Sequence, residues 1–204
     1  MNNIQVSKNQ LLSLYSKGKS MAEISSILKC SNHKIVYWMD KYNIKRRNRS
    51  EASYIKQNPN GDPFKIKQKL NDRETFLLGL TLGIYWGEGN KSTPHSLSVT
   101  NTDSGLLRTY IRFLIDICQV KLDKIKYYLI CFNDSDPEQA KAYWSQELRI
   151  SPSKFGKIVQ ISPQGKGTYK KKSKYGVCSV AVSNIKLKKW FMEKINEQRH
   201  AWVV

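Results

Sequence analysis

Apolar positions recur at helical spacing through the first part of the chain. Leu11, Leu14 and Tyr15 share one face, Met21, Ile24, Ile27 and Leu28 a second, and Ile35, Trp38, Met39 and Tyr42 a third. Three short helices are expected: residues 8–17, a segment opening at Ser20, and residues 32–42. Gly18 suits the end of the first. Ser20 with Glu23 has the spacing of a capping box, and Cys30-Ser31 makes a short turn before the third. Three short helices with a tight turn before the last form the helix-turn-helix pattern, in which the last helix enters the major groove of DNA.

Residues 57–71, with Pro59, Pro63 and several turn formers, read as a linker. Then comes an apolar helix over about 72–87, with Gly79, Gly83 and Gly87 spaced four apart on one face. Each glycine costs roughly 1 kcal/mol against alanine in a helix interior. Such a stripe gains close approach of another backbone. The helix ends in Glu88, held between Gly87 and Gly89. Beyond it, Ser96–Asn101 alternates as a half-buried strand with Ser98 and Thr100 on its polar side. A helix (105–119) follows, then a strand (124–132) with Lys124 and Lys126 sharing one face. Asp136-Pro137 opens a helix to Leu148. Residues 155–161 and 175–182 read as a pair of strands, and a helix over 185–198 closes the chain. The expected organisation is α+β: a small all-α domain (1–56), a linker (57–71) and a larger α+β domain (72–204). No second glycine-striped acidic helix follows residue 100.

Charge changes the picture. The chain has 35 Lys and Arg against 16 Asp and Glu, a formal net charge of +19, and the excess runs through both halves. Spread positive charge points to a long polyanion, most simply DNA or RNA. Asn32, His33, Lys34 and Tyr37 lie off the apolar face of the third helix and are candidates for base or phosphate contact. Lys45, Arg46, Arg47 and Arg49 follow as a phosphate-tracking arm. Lys170, Lys171, Lys172 and Lys174 mark a basic loop before the last strand. The cysteines (Cys30, Cys118, Cys131, Cys178) lack metal-ligand spacing and sit in apolar patterns, so free buried thiols and a reducing, cytoplasmic setting are expected. No apolar run is long enough to span a bilayer, and the polar N-terminus does not read as a signal peptide.

The segment FLLGLTLGIYWGEGNK, residues 76–91, resembles the signature helix of the LAGLIDADG homing endonucleases, which ends in a small residue, an acid and glycine. The order of helices and strands over about 72–199 is similar to that family's α+β unit, although the helix at 137–148 interrupts the family's strand pair. YSKGKSMAEISSILKCSNHKIVYWMDKYNI, residues 15–44, looks like the DNA-binding modules of recombinases and transposases. The resemblance implies helices on one face of an antiparallel sheet and a site-specific double-stranded DNA endonuclease that uses Mg²⁺. Glu88 matches the metal-binding acid, the Gly87 carbonyl offers a second oxygen, and Lys172 or Lys174 matches the supporting lysine. Lys91, Ser98, Thr100, Lys124, Lys126, Lys170 and Lys171 become DNA contacts. With one motif per chain, two acids require a homodimer through Gly79, Gly83 and Gly87, and a pseudo-palindromic target. The alternative is a catalytically inactive relative that binds DNA or regulates transcription.

Overall fold

Ser20, Asn48 and Asn71 each open a helix with a reciprocal capping box, closed by Glu23, Glu51 and Glu74 respectively. In the computed structural model, which describes residues 6–162 and 173–201, the chain divides into two units, Met1–Asp62 and Pro63–Val204. The fold is α+β, with eight helices and four strands among the described residues.

The first unit contains α1 (Lys8–Ser16), α2 (Met21–Ile27), α3 (Asn32–Lys41) and α4 (Arg49–Gln57). Val6, Leu11, Ile24, Ile35 and Met39 form its core. The fourth helix is absent from the sequence expectation, although the Asn48–Glu51 box marks its start. It folds back on the α1–α2 turn. Gly18 sits there at φ +87°, and a Cβ at that position would lie 2.8 Å from the Ile55 side chain. The Glu23 carboxylate accepts from the Ser20 amide and hydroxyl, each at 2.9 Å, and from Lys19 at 3.3 Å. These bonds hold its pKa at about 2, below the ordinary 4.5. A depressed acid stabilises the fold above its unfolded pKa and loses that contribution as pH falls through the folded value. Thermal melts from about pH 5 down to about 2 should therefore show a loss of stability that Glu23→Gln partly flattens.

The second unit runs α5 (Asp72–Glu88), β1 (Ser96–Asn101), α6 (Ser104–Asp116), β2 (Ile125–Phe132), α7 (Pro137–Leu148), a 3-10 turn at Pro152–Lys154, β3 (Val159–Ile161), β4 (Val177–Ser183) and α8 (Ile185–Ala201). The strand order is β1-β4-β2-β3. β4 pairs antiparallel with β1 and β2, while β3 pairs parallel with β2. The sheet is thus mixed, not antiparallel throughout, and β3 and β4 are not partners. The cause lies in the strands themselves. Cys178, Val180 and Val182 of β4 are fully buried or nearly so, so β4 takes a central place. β3 is three exposed residues, suited to an edge. Its connection from β2 passes through α7, and a helical crossover returns a strand parallel.

Alternate residues of the sheet (Leu97, Val99, Leu129, Cys178, Val180) share the core with Tyr85 of α5, Leu107, Tyr110 and Phe113 of α6, and Leu187 and Phe191 of α8. Phe191 meets Tyr85 and Phe113 edge-on, with ring centroids 4.9 and 5.3 Å apart. The expected linker is only partly one. From Pro63 it belongs to this unit: the Lys65 and Lys67 amides bond the Cys118 and Ile117 carbonyls, each at 2.9 Å, and Phe64, Ile66 and Leu70 pack on the core.

All four cysteines are free thiols; Cys118, Cys131 and Cys178 are buried and Cys30 is half-buried. Burial pushes the Cys178 thiol up to about 12 and Cys118 higher still. No helix among the described residues is long and apolar enough to cross a membrane.

Candidate functional site

α5 buries Thr81, Leu82 and Tyr85 and turns its glycines outward. A Cβ added at Gly79, Gly83 or Gly87 would meet nothing within 4 Å. Beside them Phe76 is 71% exposed, Leu80 43% and Trp86 42%. Phe76, Leu80, Gly83 and Gly87 follow one helical stripe. Gly89 differs, since a Cβ there would stand 2.5 Å from the Tyr85 ring and carbonyl. The chain's own packing thus requires a glycine at 89, whereas it makes no such demand at 79, 83 or 87.

Glu88 is the last residue of α5 and is exposed. The turn beyond it is tightly fixed. The Gly89 amide bonds the Tyr85 carbonyl at 2.9 Å, Gly89 bridges to Val99 of β1, and the Asn90 amide bonds the Ser98 carbonyl at 2.9 Å. The Asn90 side-chain oxygen accepts from the Ser92 and Thr93 amides at 3.0 and 3.1 Å. Lys91 donates to the Gly87 carbonyl at 3.5 Å. Beneath the turn lies a residue that the sequence reading missed. Lys188 of α8 donates to the Tyr85 hydroxyl and the Asn90 carbonyl. Burial, with the charge of Lys91, lowers its pKa. A signal was present: Lys188 stands on the apolar stripe of α8, between Leu187 and Phe191.

The outward face of the sheet carries mostly polar side chains in cross-strand rows. Ser98, Ala181 and Lys126 form one row, and Thr100, Ser179 and Tyr128 the next. The Thr100 hydroxyl donates to Ser179 at 2.8 Å. Ser98 is 8% exposed, so Thr100, Lys126 and Tyr128 are the more accessible groups. Lys124 precedes β2 and lies 3.7 Å from Asp123. Ser179 and Tyr128 were missed, although the alternation of β4 and β2 contains them.

On α3, His33, Lys34 and Tyr37 come together and Lys41 joins them, at helical spacings of three and four. Tyr37 is 57% exposed. Lys41 lies 4.6 Å over the Trp38 ring and 5.9 Å from that of Tyr37. Asn32, the first residue of α3, stands off this stripe. Of the basic run, Arg47 is drawn into the fold, while Lys45, Arg46 and Arg49 are exposed. Arg47 stacks on the Tyr15 ring at 3.8 Å and donates to the Tyr15 and Lys19 carbonyls, so its charge serves the fold. Arg46 pairs with Asp40 at 3.6 Å, and Arg49 begins α4. Lys45 remains exposed.

Lys174 is not brought to Glu88. Its ammonium lies 5.1 Å over the Tyr175 ring, which stacks on Tyr143 of α7. The position of β4 opposite Val99, where Gly89 bridges, is Val180, well along the strand. Lys170, Lys171 and Lys172 lie outside the described residues. Among the described residues no three His, Cys, Asp or Glu stand together. The Glu88 carboxylate and the Gly87 carbonyl, which accepts from Lys91, are hard oxygen donors of the kind a divalent cation takes, but fewer than the roughly six it needs.

The chain matches no protein-family model, no curated protein and no solved structure.

Proposed function

We propose that the protein is a site-specific double-stranded DNA endonuclease of the LAGLIDADG type, acting as a homodimer with divalent metal. One observation carries the reading: the helix that ends in exposed Glu88 turns three glycines outward, with nothing within 4 Å of where their Cβ atoms would stand. A second copy of α5 in backbone contact accounts for them and brings a second Glu88 to the same end. The two Glu88 carboxylates and two Gly87 carbonyls would supply the protein oxygens that hold a divalent ion such as Mg²⁺. Such an ion activates water and stabilises the leaving oxygen of a phosphodiester. Thr100, Lys126 and Tyr128 on the sheet, and His33, Lys34, Tyr37 and Lys41 on α3 acting as the recognition helix of a helix-turn-helix, supply DNA contacts. Two-fold symmetry makes the target pseudo-palindromic.

The interface is tested by sedimentation. Gly83→Leu is expected to leave the chain folded, since Gly83 is exposed and a Cβ there meets nothing within 4 Å, and to convert dimer to monomer. A variant that stays dimeric removes the interface argument. In duplex-binding titrations, Lys34→Ala is expected to reduce the salt slope by about one unit, as a lost phosphate contact does.

A second reading, DNA binding without cleavage, is favoured by one observation: Lys174 rests on Tyr175 rather than beside the acid.

A further inference from the structure

Lys188 is the most deeply buried lysine of the described residues, 4% exposed. Burying an ammonium is costly unless it is well satisfied. Its partners are neutral: the Tyr85 hydroxyl, the Asn90 carbonyl and the face of the Tyr85 ring, 4.9 Å from Nζ. A methionine would fill the same volume with no charge to desolvate, so packing alone gives no reason for lysine here.

The two oxygens that Lys188 holds flank the acid. Tyr85 lies on the last turn of α5 just before Glu88, and Asn90 lies just after it. Backbone bonds already tie this turn to α5 through Gly89 and to β1 through Asn90. Lys188 adds the third tie, to α8. The Tyr85 hydroxyl also donates to the Asn90 carbonyl, so ammonium, phenol and carbonyl form one closed group beneath the acid.

We propose that Lys188 is a positioning residue for Glu88: its ammonium clamps the Tyr85 hydroxyl to the Asn90 carbonyl and so fixes the direction in which the carboxylate leaves the end of α5. The inference rests on the reading of Glu88 as the acid of the site. Lys188 touches no substrate in this scheme and acts through the turn.

Two measurements on wild type, Lys188→Met and Tyr85→Phe test it. The first is amide hydrogen exchange over residues 85–91, with α6 as internal reference. Lys188→Met is expected to speed exchange of Gly89 and Asn90 by about tenfold, the loss of one charged hydrogen bond, with α6 unchanged. The second is the Mg²⁺ concentration for half-maximal DNA cutting. It is expected to rise by about tenfold while duplex affinity stays unchanged. Tyr85→Phe keeps the ring and should move both quantities the same way by less. Unchanged exchange overturns the clamp. Faster exchange with an unchanged Mg²⁺ requirement overturns the positioning role. Should Lys188→Met fail to fold, Tyr85→Phe decides by the same two outcomes. If the wild type cuts no DNA, the nuclease reading and the positioning of a catalytic acid fall with it, while the exchange arm still decides the clamp.

Discussion

On the proposed nuclease function, Glu88→Gln is expected to abolish Mg²⁺-dependent cutting and to leave duplex binding within about twofold of wild type. Glutamine keeps the shape and one carbonyl oxygen but removes the negative charge that a hard divalent ion requires. The side chain is exposed at a helix end, so the substitution disturbs no packing. A divalent ion held there would activate water and stabilise the leaving oxygen, and both would lose support without the carboxylate. A rate loss of about a thousandfold or more corresponds to about 4 kcal/mol of transition-state stabilisation. The proposal assigns DNA contacts to other groups, on the sheet and on α3, so affinity measured without metal should be nearly unchanged. Single-turnover cleavage paired with filter binding separates the two effects. Equal cutting by both proteins would remove Glu88 from the chemistry.

Gly176→Ala is expected to cost the second unit about 4 kcal/mol or more, among the largest effects of a single substitution. Gly176 adopts φ +64°, and a Cβ there would overlap the Ile130 carbonyl oxygen and stand 2.9 Å from the Cα and Cβ of Cys131. Left-handed backbone alone costs a non-glycine residue about 1–2 kcal/mol. The overlap adds more, because the obstructing atoms are mainly backbone of β2, paired on both sides in the sheet. Without the overlap, only the backbone cost of about 1–2 kcal/mol would apply. Urea unfolding followed by a probe in the second unit should show a fall in stability well beyond that cost. A loss no larger than the backbone cost would mean that β2 yields.

The helices were legible because their signals are local. The Ser20–Glu23 box, the Asp136-Pro137 start and the apolar stripes of α1, α2, α3 and α6 all act within a few residues of chain. Strand existence was legible for the same reason, from alternation in Ser96–Asn101 and Ile125–Phe132. Strand partnership was not. That β4 lies between β1 and β2 depends on burial of Cys178, Val180 and Val182 from both sides, a non-local requirement. Phe64 and Ile66 were hidden by the prolines that precede them, Pro59 and Pro63, which read as linker although Phe64, Ile66 and Leu70 alternate with polar residues as a packed segment does. Charge misled in two opposite ways. Arg47 looks like part of a phosphate-binding run, but the Tyr15 ring and two carbonyls capture it. Lys188 passed unnoticed among the charges of α8, although it stands on the apolar stripe and is held by Tyr85 and Asn90. In both cases the partners are far away in sequence. The glycine stripe was read from spacing alone, and the structure adds that it faces outward.

The most direct test of the central claim is incubation of the wild-type protein with a randomised duplex DNA library, in Mg²⁺ and in chelator. The account predicts cuts in both strands at a discrete, pseudo-palindromic sequence, present only with the metal. Duplex binding with no Mg²⁺-dependent cut at any sequence would contradict it.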